Sequence, residues 1–191
     1  RARSCALSPL RGDTMTSFVP ETPLALLTAS DAKSELPDLG AVLHACVADG
    51  AGVGFVLPFS QDQAEAFWAS RLPGIESGER FLLVARLEGR IVGTVMLELA
   101  GQDNGRHRAE VAKLLVHPDA RRKGLAKQLL TALDGLAISL DRTLLVLDTV
   151  TGDVAEGLYP KCGYTRVGTI PAYARSPHGD LDATTVFYKQ L

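Results

Sequence analysis

The sequence predicts one α/β domain built on a mixed central β-sheet flanked by α-helices. Three observations carry this: two β-rich runs at 81–87 and 91–99 meet at a short turn, two amphipathic helical runs precede them, and a strand–helix–strand succession spans 109–149. At 191 residues the chain has room for one domain with a sizeable core, whereas two would be crowded. Its 20 Lys and Arg against 22 Asp and Glu leave a net charge of -2. That balance excludes wholesale electrostatic capture of nucleic acid, while a local basic cluster can still grip a small polyanion.

Residues 1–20 mix Arg, Ser, Pro and Gly without period around Met15, so the expectation is a disordered tail upstream of the natural start, with residues 21–191 as the domain. Residues 24–28 read as a weak first strand. Leu36, Leu39, Leu43, Cys46 and Val47 then recur at helical spacing, and Asp49-Gly50 stops the helix. The glycines from Gly50 to Gly54 have no Gly-Lys-Ser/Thr ending and no preceding strand, so the segment is a connector and not a phosphate loop. Ser60 to Gln63 fits a capping box, from which Ala64, Phe67, Trp68 and Leu72 continue one helical face up to Pro73-Gly74.

The runs 81–87 and 91–99 are joined by Glu88-Gly89-Arg90, which predicts an antiparallel hairpin. After a polar loop at 101–105, a strand covers 109–116 and stops at His117-Pro118. Leu125, Leu129, Leu133, Leu136 and Leu140, with Ala126, Leu130 and Ala137, give the wide apolar stripe of a helix packed on a sheet. Leu144 to Leu147, inside the run 142–149, suits a strand buried on both faces. A right-handed crossover between these two strands lays the helix over the sheet and opens both strand ends on one edge, where ligands bind. A short helix at 153–161 and strands at 163–169 and 184–189 complete the domain.

The three cysteines, Cys5, Cys46 and Cys162, are odd in number and far apart, which predicts neither a disulfide framework nor a zinc site and favours a cytoplasmic setting. His44, His107, His117 and His178 have no metal-ligand spacing, so no metal is expected. No apolar run approaches the roughly 18 residues of a membrane span, so no membrane partner is expected.

Directly after the strand ending at Val116 the chain reads His117-Pro118-Asp119-Ala120-Arg121-Arg122-Lys123-Gly124-Leu125-Ala126, and the Leu-striped helix begins. The first N–H groups of a helix lack intrahelical partners and lie at the positive end of its dipole, so a Gly-containing turn there can cradle a pyrophosphate. Three adjacent cations, Arg121, Arg122 and Lys123, add attraction, and at a helix start they are electrostatically misplaced unless an anion joins them. The alternative is a solvated basic run. The pattern is neither a dinucleotide fingerprint nor a Walker loop.

This stretch resembles the GCN5-related N-acetyltransferases (GNAT), whose acyl-CoA motif has the form Arg/Gln-x-x-Gly-x-Gly/Ala between a strand and a long helix; Arg121-x-x-Gly124-x-Ala126 matches it. The likeness extends to Leu114-Leu115-Val116-His117-Pro118 before the turn and to Ala155-x-x-Leu158-Tyr159-x-Lys161-x-Gly163-Tyr164 after it. Within the family it is greatest to the tabtoxin-resistance branch, through 109–114, Leu147-Asp148-Thr149, Val154-Ala155-Glu156 and 164–168. The resemblance covers residues 30–191 and implies a single GNAT-like domain that transfers the acetyl group of acetyl-CoA to a primary amine of a small molecule, by direct attack in a ternary complex.

It further implies that backbone groups of Leu114, Leu115 and Val116 line the pantetheine arm and that the amides of Arg121, Arg122, Lys123, Gly124, Leu125 and Ala126 hold the pyrophosphate, with Lys127 reaching a phosphate. A homodimer is a further implication. Gly152 stands where many family members carry Asn, which departs from the pattern at one cofactor contact. A protein or peptide amine as acceptor is the competing enzyme reading and would need an open groove. A non-catalytic acyl-CoA-binding module is the other alternative, and it would tolerate loss of Tyr159 and Asp148.

Acyl transfer to an amine needs a neutral nucleophile, donors for the developing oxyanion and a proton for the departing thiolate. By the resemblance, Tyr159 lies near the thioester sulfur and supplies that proton; on its spacing alone it reads as a buried core tyrosine. Glu110, early in the strand that leads to the turn, and Asp148, at the end of the apolar run 144–147, are the candidate carboxylates for binding and deprotonating the ammonium. Their alternatives are a solvent-facing strand residue and a turn cap. Cys162 has no His near it in sequence and reads as a packing thiol. Tyr173 is placed in a loop, facing substrate or anchoring its own backbone.

Overall fold

A computed structural model describes residues 24–191; the expected tail at 1–20, with Cys5, and residues 21–23 lie outside the described residues. The elements are β1 (Leu24–Leu27), α1 (Ala29–Ser34), α2 (Leu36–Ala48), α3 (Gln61–Ala69), α4 (Leu72–Glu76), β2 (Arg80–Leu87), β3 (Arg90–Leu99), β4 (Arg108–Val116), α5 (Leu125–Ser139), β5 (Leu144–Val150), β6 (Thr165–Arg175) and β7 (Leu181–Gln190). One seven-stranded sheet runs in the order β1-β2-β3-β4-β5-β7-β6. Every neighbouring pair is antiparallel except β4 and β5, which are parallel and joined through α5. The mixed sheet of the sequence reading is therefore present.

Local chemistry explains most boundaries. Ser60 and Gln63 form the expected reciprocal cap at the start of α3. In the β2–β3 hairpin Leu87 pairs with Arg90, and the two residues between them, Glu88 and Gly89, have φ of 51° and 82°. Both are left-handed, as a two-residue turn matching the strand twist requires. Helices cover both faces. Leu39, Val42, Leu43, Ala64 and Trp68 of α2 and α3 bury against Leu82, Val84, Met96 and Leu115, whereas Leu129, Leu130, Leu133 and Ala137 of α5 bury against Val95, Leu97, Ala109, Val111, Leu145 and Leu147. The alternation of β4 thus turns Ala109 and Val111 toward α5 and Glu110 and Ala112 toward α2 and α3.

Several expectations shift. The helical run from Ser60 to Leu72 is two helices, α3 and α4, broken at Ser70-Arg71, because Pro73 falls in the first turn of α4, where its missing N–H costs nothing. The helix expected at 153–161 is a series of turns ending in a single 3₁₀ turn at Tyr159–Cys162. There the Glu156 carboxylate accepts from the Gly152 N–H (2.6 Å) and the Thr185 hydroxyl (2.7 Å), and Gly152 has φ 87°, so the side chain ties the loop to β7 instead of projecting from a helix. Strands β6 and β7 are also longer than the runs 163–169 and 184–189.

The feature that shapes the site is the junction of β4 and β5. Their pairing consists of Arg108 with Leu144, Ala109 with Leu145 and Glu110 with Val146. Beyond that β5 stays paired with β7 up to Val150, while β4 stays with β3, so the two strands part. In the same stretch β4 carries a bulge: the register with β3 shifts between Thr94 and Met96, and Lys113 has φ 51°. The Thr94 hydroxyl, fully buried, donates to the Lys113 carbonyl at 2.9 Å and pins it. Thr94→Val keeps the branched shape but removes this donor, and it should cost about 1–3 kcal/mol. Urea unfolding measures it, and an unchanged midpoint would remove Thr94 from the account of the bulge.

Candidate active site

From the end of β4 the chain makes a 3₁₀ turn at Pro118–Ala120, in which the His117 Nδ1 accepts from the Asp119 N–H at 3.3 Å, and then enters the basic turn before α5. Arg122 (φ 63°) and Gly124 (φ 77°) are both left-handed. A Cβ at Gly124 would meet only the Gln128 Nε2 at 3.9 Å, so the demand for glycine comes from its dihedral angle and not from crowding. Leu125 is buried and anchors the helix start, leaving Arg122, Lys123, Gly124 and Lys127 exposed and Ala126 half-buried.

The helix has no side-chain cap, and the first bond of its ladder runs from Gln128 N–H to the Gly124 carbonyl. The N–H groups of Arg122, Lys123, Gly124, Leu125, Ala126 and Lys127 donate to no acceptor among the described residues. Successive donors of this kind, at the positive end of a helix dipole and beside the exposed Arg122, Lys123 and Lys127, suit a diphosphate chemically. Arg121 departs from the expectation. Its N–H donates to the Pro118 carbonyl (3.3 Å), and its guanidinium is taken by Asp49, just past α2, and by the Val116 carbonyl at 3.4 Å. The residue ties the turn to α2 because the first turn after β4 closes back on itself, so the row of unused donors begins one residue later.

Leu114, Leu115 and Val116 lie on β4 beyond its last pair with β5, with one edge of the strand outside any ladder on that side. Leu115 is buried toward α2 and Leu114 half-buried toward α5. An acceptor or donor chain with amide groups can therefore approach this edge. The Val116 carbonyl accepts from the Cys46 thiol at 3.4 Å as well as from Arg121.

The carboxylates gather at the same junction. Arg80, Glu98, Glu110 and Val146 lie abreast across β2, β3, β4 and β5, and Asp148 is two residues beyond Val146 on the same face. Glu98 is ion-paired to Arg80 at 3.4 Å, whereas Glu110 has no partner of that kind among the described residues. Burial, and after it the charges of Glu98 and Asp148, push the Glu110 carboxyl above the usual glutamate range. Asp148 is exposed and sits inside the β5–β7 ladder opposite Val186, so it is not a turn cap. The buried Thr184 hydroxyl lies 2.7 Å from its Oδ2 and 2.9 Å from the Thr149 carbonyl.

Tyr159 is buried on the α5 face, with ring centroids 5.6 Å from Tyr164 and 5.5 Å from Phe187. Burial first, and the Asp148 charge next, push its phenol up, so the proton stays on Oη throughout the neutral range. Tyr159 and the two carboxylates thus lie toward opposite faces of the sheet. Cys162 is half-buried and burial pushes its thiol up, consistent with packing. Tyr173 lies in β6 and not in a loop, because that strand runs on to Arg175.

Sequence reasoning missed Glu98, Lys113, Arg71, Phe67 and Thr184. Arg71 and Lys113 both stand over the Phe67 ring, at 4.9 and 5.3 Å from its centroid, on the face that carries Glu110. No sequence signal marks them, since their proximity depends on a bulge and on a helix break. Two surface grooves of about 490 and 340 Å³, beside α1 and α4 and between β1 and α4, contain none of the candidate residues.

Comparison with known proteins agrees with this geometry. The model of the Acetyltransferase (GNAT) family matches residues 40–164. An N-acetyltransferase from the hisH–hisA intergenic region of Azospirillum brasilense is 33% identical over 116 residues, 60% of this chain and 67% of the relative. Glucosamine 6-phosphate N-acetyltransferase of Schizosaccharomyces pombe is 38% identical over 58 residues, 30% of this chain and 50% of that protein. Among solved structures, a phosphinothricin acetyltransferase from Sinorhizobium meliloti in complex with acetyl-CoA superimposes with a TM-score of 0.72 at 23% identity, covering 89% of this chain and 88% of that one. With its family model, its fold and its row of unpaired donors in agreement, the chain belongs to the GNAT acetyltransferase family and is an N-acetyltransferase whose co-substrate is acetyl-CoA.

Proposed function

We propose that the chain acetylates a primary amine of a small molecule by direct attack in a ternary complex, with Glu110 and Asp148 serving the amine and Tyr159 the departing thiol. The observation that carries this reading is the raised Glu110 carboxyl beside Asp148 at the parting of β4 and β5. An amine is protonated at neutral pH and must lose that charge before it attacks. Asp148, oriented by Thr184, attracts the ammonium; Glu110, whose affinity for protons is raised, takes its proton. Tyr159 holds a proton at Oη for the sulfur.

Acetyl-CoA supplies the activated acetyl thioester. Leu114, Leu115 and Val116 flank its pantetheine arm, and the amides from Arg122 to Lys127, with the charges of Arg122, Lys123 and Lys127, hold the pyrophosphate. Arg121 contributes by fixing the turn.

A small acceptor is favoured over a peptide by the connector between α2 and α3. Its Leu57 N–H donates to the Pro177 carbonyl of the β6–β7 turn at 2.8 Å, and Gly52 packs so closely on Val150 that a Cβ would come within 2.4 Å of that side chain. A connector tied down in this way supports a closed pocket over the open groove a peptide would need. A relative named for glucosamine 6-phosphate supports the same reading. The same proposal includes a cytoplasmic setting, supported by the unpaired thiols of Cys46 and Cys162, and a homodimer. The dimer is supported by β6, an edge strand that exposes Val167, Ile170 and Tyr173.

Gly124→Asp should abolish acetyl-CoA binding in calorimetry while the far-ultraviolet circular dichroism is unchanged, because the new carboxylate opposes the diphosphate at the turn. Retained affinity would move the cofactor site elsewhere.

Tyr159→Phe and Glu110→Gln should each lower turnover by about 10²–10⁴-fold with little change in acetyl-CoA affinity. For the wild type kcat/KM should rise with pH as Glu110 loses its proton, with the limb above the usual glutamate range. Asp148→Asn removes a charge that raises Glu110, so it should move that limb to lower pH. A limb that stays in place in Asp148→Asn and survives in Glu110→Gln belongs to another group.

The homodimer should appear as a doubled mass in light scattering, and substituting Val167 and Ile170 with Lys should halve it. A wild-type mass of one chain overturns the dimer.

A further inference from the structure

We propose that the acceptor carries an anionic oxygen group, a carboxylate or a phosphoryl group, which docks on Arg71 and Lys113 over the ring of Phe67 while its amine meets Glu110 and Asp148. The inference rests on the acceptor site described above and deepens it from an amine to a zwitterion. Arg71 comes from the break between α3 and α4, Lys113 from the bulge in β4, and Phe67 from α3; the two cations lie 4.9 and 5.3 Å from one ring centroid. They are unrelated in sequence and would repel each other if nothing answered their charge.

Neither cation has an ion-pair partner among the described residues. Among the described residues the one side-chain hydrogen bond of Arg71 runs from Nε to the Ser70 hydroxyl at 3.1 Å, and the Lys113 ammonium makes none. Lys113 is nonetheless half-buried, and burial lowers its hold on a proton, with Arg71 acting in the same direction and Glu98, Glu110 and Asp148 opposing. The carboxylates influence the ammonium without binding it. A half-buried cation with only an aromatic face for company is poorly solvated, and an incoming anion relieves both the desolvation and the repulsion by Arg71.

The bulge explains why the lysine is there. Its left-handed Lys113 shifts the alternation of β4, so Lys113 reaches Phe67 on the same side of the sheet as Glu110 and not the α5 side. One face of the site therefore presents carboxylates at the β4–β5 parting, with Lys113 at the bulge of β4 and Arg71 at the break between α3 and α4 as its cations. That arrangement matches a small molecule bearing both charges and discriminates against simple alkylamines and lysine side chains within peptides.

The test is kcat/KM for matched pairs with saturating acetyl-CoA: a panel of α-amino acids beside their carboxamides, and aminoalkylphosphonates beside their diesters. Wild-type enzyme should favour the anionic member of at least one series by on the order of 10–100-fold, the value of a charge-assisted contact. Lys113→Met, which removes the charge at similar side-chain length, and Arg71→Gln should remove that preference, raising KM for the anionic member and sparing the neutral one, with acetyl-CoA affinity in calorimetry unchanged. Which series shows the preference tells carboxylate from phosphoryl. Equal use of both members in both series overturns the anion site while leaving amine acetylation intact. Acetyl-CoA binding with no amine acetylated overturns the acceptor reading and this inference together. A loss of melting temperature in the variants without loss of discrimination makes both residues structural and likewise overturns it.

Discussion

The site exists because two parallel strands share three backbone pairs and then separate. β5 is held along its whole length by β7, and β4 by β3, so neither can follow the other past Glu110 and Val146. Ordinarily an unpaired strand edge inside a domain is a cost, since buried N–H and C=O groups need partners. Here the edge of β4 that is free of β5 runs on into the basic turn. The strand that parts is also the strand that leads into α5, so the free edge and the unpaired amides of the helix start are continuous along the chain.

Charge is arranged against local preference in two places. Glu98 and Glu110 are directly opposed on neighbouring strands, a pairing that sheets avoid, and among the described residues Glu98 is ion-paired whereas Glu110 is not. Arg122 and Lys123 precede a helix N-terminus, where cations are disfavoured. Both conflicts disappear when the right ligand charge is present. A proton or an ammonium relieves the first, and a diphosphate the second. Local frustration of this kind is a more direct pointer to chemistry than residue type alone.

Much of this was legible in the sequence. Period and turn chemistry located the hairpin, the β4–α5–β5 unit and the capping box at Ser60, because each is decided within a few residues. The basic turn was legible for the same reason: Gly124, its cations and the Leu-striped helix are contiguous. What escaped depends on distant partners. Arg121 reads as one more phosphate ligand until Asp49, at the end of α2, is seen to hold it. The loop after β5 reads as a helix because the pull of Thr185 and Gly152 on Glu156 is invisible in one dimension. Lys113 gives no sign of a left-handed backbone, since lysine has no preference for it, and the whole cationic side of the site depends on that residue.

The division of the sheet has a mechanical side. Glu110, Lys113 and the basic turn belong to the half formed by β1 to β4, whereas Asp148 and Tyr159 ride with β5, β6 and β7. The halves are riveted at Arg108, Ala109 and Glu110 and bridged by α5, so they resemble the two jaws of a clothes-peg whose spring is the α5-side core. Small changes in jaw angle are amplified with distance from the rivet. The separation between Glu110 and Tyr159, the base and acid proposed above, is therefore set by how the two halves meet, and an acceptor lodged between them would bear on both groups at once.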